Sequence, residues 1–244
     1  MKNKKKYVSA NEDINKEVVL NPNSAKAYNN NGLVKSNLKD HRGAIEDYTR
    51  AIEFDPEYSS AYHNRGREKA ELRDHKGAIE DYNKAIEINS NYVNAYSSRC
   101  IAKYKLQDYI GAIEDANIVI EIEPNNEFAY SNRGMMKAII GEPGEGILDL
   151  NKAIEIKPNY LSAYNVRGNV KKKIGDIKGA IEDYTKAIEI DPKYSQAYYN
   201  RGVANFDLHN LNEAELNFII ASELGDKNAS ELVEIMMKYP KKAE

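Results

Sequence analysis

One phrase of twelve residues recurs along the chain at a fixed interval. It reads GAIEDYNKAIEI from Gly77 to Ile88 and returns at Gly43–Phe54, Gly111–Ile122, Glu145–Ile156 and Gly179–Ile190, with a diverged copy at Glu213–Leu224. Each start lies 34 residues after the last, with no insertion or deletion. A fixed period of this size marks stacked supersecondary units that bury their apolar faces against neighbours, so no single central core is needed.

Six units follow from the period: 25–58, 59–92, 93–126, 127–160, 161–194 and 195–228. Each holds two helical patterns, A and B, which in the second unit run roughly from Ser60 to Leu72 and from Lys76 to Ile88. In helix B the apolar residues Ala78, Ile79, Tyr82, Ala85, Ile86 and Ile88 fall on one helical stripe, while Glu80, Asp81, Lys84 and Glu87 take the other faces. Pro56, Pro124, Pro158 and Pro192 follow helix B and cannot continue it. Before the array, residues 1–24 read as a basic leader plus a partial capping helix, because Asp13–Leu20 sits 34 residues ahead of Asp47–Phe54. After it, 229–244 read as a capping helix and tail.

Small residues recur where helices must approach: Gly32, Gly66, Cys100, Gly134, Gly168 and Gly202 in helix A, and Ala44, Ala78, Ala112, Gly146, Ala180 and Ala214 in helix B. An aromatic row, Tyr28, Tyr62, Tyr96, Tyr130, Tyr164 and Tyr198, opens each helix A. Small residues at the eighth, twentieth and twenty-seventh places, aromatics at the fourth and twenty-fourth, and Pro at the thirty-second resemble the tetratricopeptide repeat. The resemblance implies an all-α, right-handed α-solenoid (superhelix) of antiparallel helix pairs. Asn64-Arg65-Gly66, Asn132-Arg133-Gly134 and Asn200-Arg201-Gly202 further resemble the co-chaperone branch of that family. Its two-carboxylate clamp needs a set of Lys, Asn and Arg that no three successive units here supply, which disfavours a receptor for chaperone tails.

Function classes narrow from composition. A net charge of -3 gives no basic field for nucleic acid. No apolar run reaches the ~20 residues that span a bilayer. Cys100 is the only cysteine, so no intrachain disulfide can form. The basic start, Met1 to Lys6, runs into a polar stretch rather than a signal-peptide core, which predicts a cytoplasmic chain.

Catalytic constellations are not found, and the expectation is no enzyme, no cofactor and no metal. His41 and His75 share one repeat position and have no cysteine pair to join them, so they read as turn residues. Cys100 stands where other units have Gly and reads as a small buried hydrophobe. The Glu-Asp pairs at 46/47, 80/81, 114/115 and 182/183 point about 100° apart on a helix. The glycines of 141–146 lack a Gly-Lys-Ser/Thr.

Arginines and aspartates recur in step: Arg65, Arg99, Arg133, Arg167 and Arg201 on helix A, Asp47, Asp81, Asp115, Asp149 and Asp183 on helix B. These predict a ladder in which each Arg meets an Asp of its own or the preceding unit. The end pattern, with Asn31 lacking the Arg and Asn217 lacking the Asp, favours the preceding unit. An arginine site for an anionic ligand is the sharper alternative.

The family resemblance implies a concave groove lined by helix A. In that row the third and fourth units place Ile101, Tyr104, Phe128, Met135 and Ile139 where other units place Ser, Asn, Arg or Lys. Lys105 borders one side, and Asn165, Asn169, Lys172 and Lys173 the other. Exposed apolar residues in a cluster suggest a binding patch. The expected function is a non-catalytic scaffold or adaptor that binds a protein or peptide partner in this groove. The alternative is a self-assembling protein, a homo-oligomer stacking through groove or end contacts.

Overall fold

The computed structural model describes residues 21–238, so residues 1–20 of the leader, with its expected capping helix, and residues 239–244 of the tail lie outside them. Among the described residues there are helices and turns and no strand, an all-α helical-repeat solenoid. The chain divides into two compact units at Pro124 and Asn125. The first holds α1 (Ala25–Asn37), α2 (His41–Phe54), α3 (Ser59–Glu71), α4 (His75–Ile88), α5 (Val93–Lys105) and α6 (Tyr109–Ile122). The second holds α7 (Glu127–Ile139), α8 (Pro143–Ile156), α9 (Leu161–Lys173), α10 (Ile177–Ile190), α11 (Ser195–Asp207), α12 (Leu211–Glu223) and α13 (Lys227–Lys238).

Local chemistry sets the helix ends. Asp40, Asp74, Asp108 and Asp176 cap the B helices, each carboxylate accepting from the backbone N–H three residues on. In these four caps that fourth residue is Gly, and a Cβ there would press on the capping carboxylate as it now lies. The turn from A to B needs one residue in the left-handed region, at the same place in each repeat: Lys39, Arg73, Gln107, Gly141, Gly175 and His209.

Each A–B pair closes through a small residue opposite a large one. A Cβ on Gly66 would lie 2.7 Å from the Tyr82 ring, and Gly32, Gly168 and Gly202 sit equally close to Tyr48, Tyr184 and Phe218. The third repeat reverses the sizes, with Cys100 on helix A facing a position where Ala116 replaces the aromatic. In the fourth repeat the backbones themselves touch, since a Cβ on Gly134 would come 2.6 Å from the Gly146 carbonyl oxygen.

The charged ladder runs within repeats, which corrects the expectation of a partner in the preceding unit. Arg65 donates from Nε and Nη2 to both oxygens of Asp81, sixteen residues away in the same repeat. Arg99 and Asp115, Arg133 and Asp149, and Arg167 and Asp183 repeat this fork. Lys69, Lys103, Lys137 and Lys171 add a second cation to each carboxylate. The remaining arm of Arg65, Arg99, Arg167 and Arg201 does reach back one repeat, to Thr49, Asn83, Asn151 and Thr185. The first and last repeats keep the contact with asparagine. Asn31 donates to Asp47, and Arg201 donates to Asn217. Each arginine also lies 5.3–5.6 Å from the centre of the tyrosine three residues before it, the aromatic row of the sequence.

Electrostatics differ at the two ends of this series. Burial pushes the Asp47 carboxyl above the usual range, with Lys35 only partly offsetting it. Hydrogen bonding to Asp149 raises the Arg133 guanidinium, whereas burial lowers that of Arg201, which pairs with no carboxylate among the described residues.

The last helix breaks register. α12 stops at Glu223 and α13 starts at Lys227, two residues earlier than the period predicts. Its third residue, Ala229, is fully buried like Ala27 and Ala197 in their own helices. Its eighth is Glu234, where the A helices carry Gly or Cys.

Candidate functional site

A second ladder joins successive A helices and takes in Asn165, which the sequence placed in the groove. Asn64 donates to Asn29 at 3.0 Å, and Asn200 donates to Asn165 at 2.9 Å. Between α3 and α5 the same place holds His63 and Ser98, 3.1 Å apart. Tyr92 and Tyr82 pack on the His63 ring, and burial together with Arg67 pulls its pKa down to about 4. His63 is therefore neutral at ordinary pH.

The ten predicted groove residues divide between the two compact units. In the first, Ile101 is 50% exposed and lines a recess with Lys105. Tyr104 is half-buried, its ring 6.0 Å from Tyr109 and capped by the Lys105 ammonium. In the second, Phe128 is 52% exposed and meets Tyr160 edge-on, with Lys157 over both rings. Met135 is half-buried and Ile139 exposed. Asn165 is buried and committed to Asn200, Asn169 accepts from the Tyr184 hydroxyl, Lys172 pairs with Asp207 at 3.4 Å and Lys173 donates to the Ala138 carbonyl. The polar border predicted from Asn165, Asn169, Lys172 and Lys173 thus has internal partners. The apolar members and Lys105 retain open surface.

The recess measures about 620 Å³ and is formed by α3, α4 and α5 together with Arg73. Its walls are Arg67, Ala70, Glu71, Arg73, His75, Tyr82, Ser98, Ile101, Ala102 and Lys105. Three cationic side chains thus face one carboxylate, in a chain whose net charge is -3. Of these, the sequence places Ile101 and Lys105 in the groove row. It reads His75 as a turn residue and does not single out Arg73, although both repeat positions are visible one unit earlier, at His41 and Lys39. In the second unit an apolar hollow of about 290 Å³ lies between Val203, Phe206, Leu211, Phe218, Leu232 and Met236.

Chemistry of other kinds finds little support. Burial pushes the Cys100 thiol up to about 12, so it packs rather than reacts. Among the described residues no cluster of His, Cys, Asp or Glu could hold a metal ion, and no helix is long and apolar enough to cross a membrane.

Comparison with known proteins agrees with this geometry. The profile described as TPR repeat matches residues 66–107 and 168–208, and that described as Tetratricopeptide repeat matches 25–58. The chain belongs to the tetratricopeptide repeat family. Arrays of this family are protein-interaction scaffolds. Among solved structures, the array is similar to a tetratricopeptide repeat protein from Parabacteroides merdae, 22% identical, over 96% of this chain and 94% of that one, with a TM-score of 0.79. It is similar to YrrB, described as a TPR protein with an unusual peptide-binding site, 22% identical over 75% of this chain and 95% of that one, TM-score 0.62. MamA protein is 26% identical over 76% of this chain and 97% of that one, TM-score 0.57. No curated protein sequence matches the chain.

Proposed function

We propose that this tetratricopeptide array is a non-catalytic adaptor that binds an extended or helical segment of a protein partner along its A helices. The observation that carries this reading is the recess of α3, α4 and α5, where exposed Ile101 and Lys105 stand beside Arg67 and Arg73, which make no ion pair among the described residues. Concave sites of mixed character, with an apolar floor and a few directed polar groups, suit peptide recognition. In the second unit, taken by itself, Phe128, Met135 and Ile139 put apolar residues at helix A positions. YrrB, of the same fold, is described as having a peptide-binding site. A second reading, self-association, is favoured by the apolar hollow beside α13 and by exposed Phe206 and Ile235.

The test is selection of a random-peptide display library on the full chain, then on Ile101→Ala/Lys105→Ala and on Phe128→Ala/Met135→Ala. Peptides selected by the wild type and lost by either variant place binding on the A helices. Absence of selectable peptides, with a concentration-dependent mass in light scattering, would replace the adaptor by the self-associating form.

A further inference from the structure

We propose that the recess of α3, α4 and α5 is a carboxylate site, filled by an aspartate or glutamate side chain of the partner segment. This rests on the adaptor reading and gives the segment its anchoring chemistry. It comes from comparing two hollows one repeat apart. In the earlier one, Ser36 donates to Glu68 Oε1 at 2.7 Å, and His41 Nδ1 lies 2.7 Å from Oε2. Glu68 is only 3% exposed, at a place where the other repeats carry Val34, Ala102, Met136, Val170 and Ala204. A carboxylate is tolerated at such depth only with charge-assisted partners, and the histidine and the hydroxyl supply them.

Thirty-four residues on, the three places read Ala70, His75 and Ala102. The histidine is kept, while the hydroxyl and the acid are both replaced by alanine. His75 Nδ1 is closed off from solvent and has no hydrogen-bond partner among the described residues. Ala70, His75 and Ala102 all line the recess, at the repeat positions that Ser36, His41 and Glu68 hold one unit earlier. What the first hollow satisfies from within the chain, the second leaves for a group from outside. The charge around it has the matching sign. Arg67, Arg73 and Lys105 form the rim against the single carboxylate of Glu71, and neither Arg67 nor Arg73 makes an ion pair among the described residues. The later repeats carry Tyr109, Pro143, Ile177 and Leu211 in place of the histidine, so the arrangement belongs to this recess.

The experiment titrates the ¹⁵N-labelled full chain with N-acetylglutamate N-methylamide and, separately, with its neutral glutamine counterpart. The backbone amides of Ser98, Ile101 and Lys105 and the ring nitrogens of His75 are followed. The glutamate probe is expected to move these signals saturably and the glutamine probe to leave them in place. His75→Leu should weaken the glutamate probe about tenfold, the scale of one hydrogen bond to a charged group. Ala102→Glu rebuilds the earlier hollow, so it should shift the His75 ring by itself and silence the probe. Equal response to both probes, or an undiminished response in Ala102→Glu, would overturn the site, and the second of these stands even where His75→Leu disturbs the fold. Display peptides that bind the A helices with no preference for an acidic residue would overturn the site and leave the adaptor reading intact. A glutamate-specific shift with no selectable peptide would instead overturn the adaptor as the source of the carboxylate.

Discussion

The third and sixth repeats depart from the common plan in opposite ways. The third keeps the charged triad, Arg99, Lys103 and Asp115, and inverts the steric pair, with Cys100 opposite the place of Ala116. The sixth keeps the steric pair, Gly202 against Phe218, and dismantles the triad into Arg201, Asn205 and Asn217. Each change is coupled to a second one that repairs it. Enlarging the small residue goes with shrinking the aromatic. Removing the carboxylate goes with removing the lysine, so the buried cluster keeps a single excess positive charge in both repeats. Steric fit and charge balance are thus separate devices, and in these two repeats each changes by a pair of substitutions rather than by one.

Breaking the sum in the third repeat has the largest expected effect. Asp115→Asn leaves Arg99 and Lys103 facing no carboxylate at a site only 1% exposed, and should cost about 3–5 kcal/mol. Urea denaturation of the full chain measures it. Adding Lys103→Asn reproduces the sixth repeat and should return a large part of that loss. If the double variant is no more stable than the single one, charge balance is not what links the two asparagines.

The second repeat offers a polar contact to set beside these two. His63 stands where the first and fifth repeats have Asn29 and Asn165, and its pKa in the fold is about 4 against an ordinary 6.5. The unfolded chain therefore binds the proton first as pH falls, and stability is full above 6.5 and declines towards 4. The loss amounts to roughly 3 kcal/mol once the residue is titrated in both states. His63→Asn should flatten the decline between those values, read as the midpoint of thermal unfolding against pH.

Ala116→Tyr overpacks the third repeat against Cys100 and should cost about 1–3 kcal/mol. With Cys100→Gly it recreates the pair of the second repeat, so the double variant should recover most of the loss. A coupling energy near zero would show that the two positions do not share one packing volume. The smallest effect is expected from Asn217→Asp, which gives Arg201 a carboxylate. Burial costs of the new ion offset most of the gain, leaving a change of about 1 kcal/mol or less.

Much of the fold was legible because the period repeats without error and every helix, turn and close contact is sampled six times. The ladder shows where that reasoning stops. Counting missing partners at the ends pointed to the preceding repeat, but asparagine at 31 and at 217 makes the same hydrogen bonds as the charged residues, so the ends do not lack partners at all. The groove was legible as a row of positions and only in part as a site. Asn165 and Lys172 read as free polar groups, yet contacts 35 residues away absorb them. The recess depends on His75, whose difference from His41 lies in a residue of the next repeat, Ala102 for Glu68. A reading one unit at a time cannot see that exchange.

The left-handed residue between A and B helices has a kinetic consequence. A repeat cannot close its helical hairpin until that residue leaves the ordinary backbone basins. Glycine enters the left-handed basin freely, whereas Lys39, Arg73, Gln107 and His209 enter it against a steric penalty of about 1 kcal/mol or more each. Gly141 and Gly175 therefore make the fourth and fifth repeats the ones whose hairpins close with least resistance. Refolding should start there, and pulse-labelled hydrogen exchange should find amides of α7 to α10 protected before those of α1 to α4.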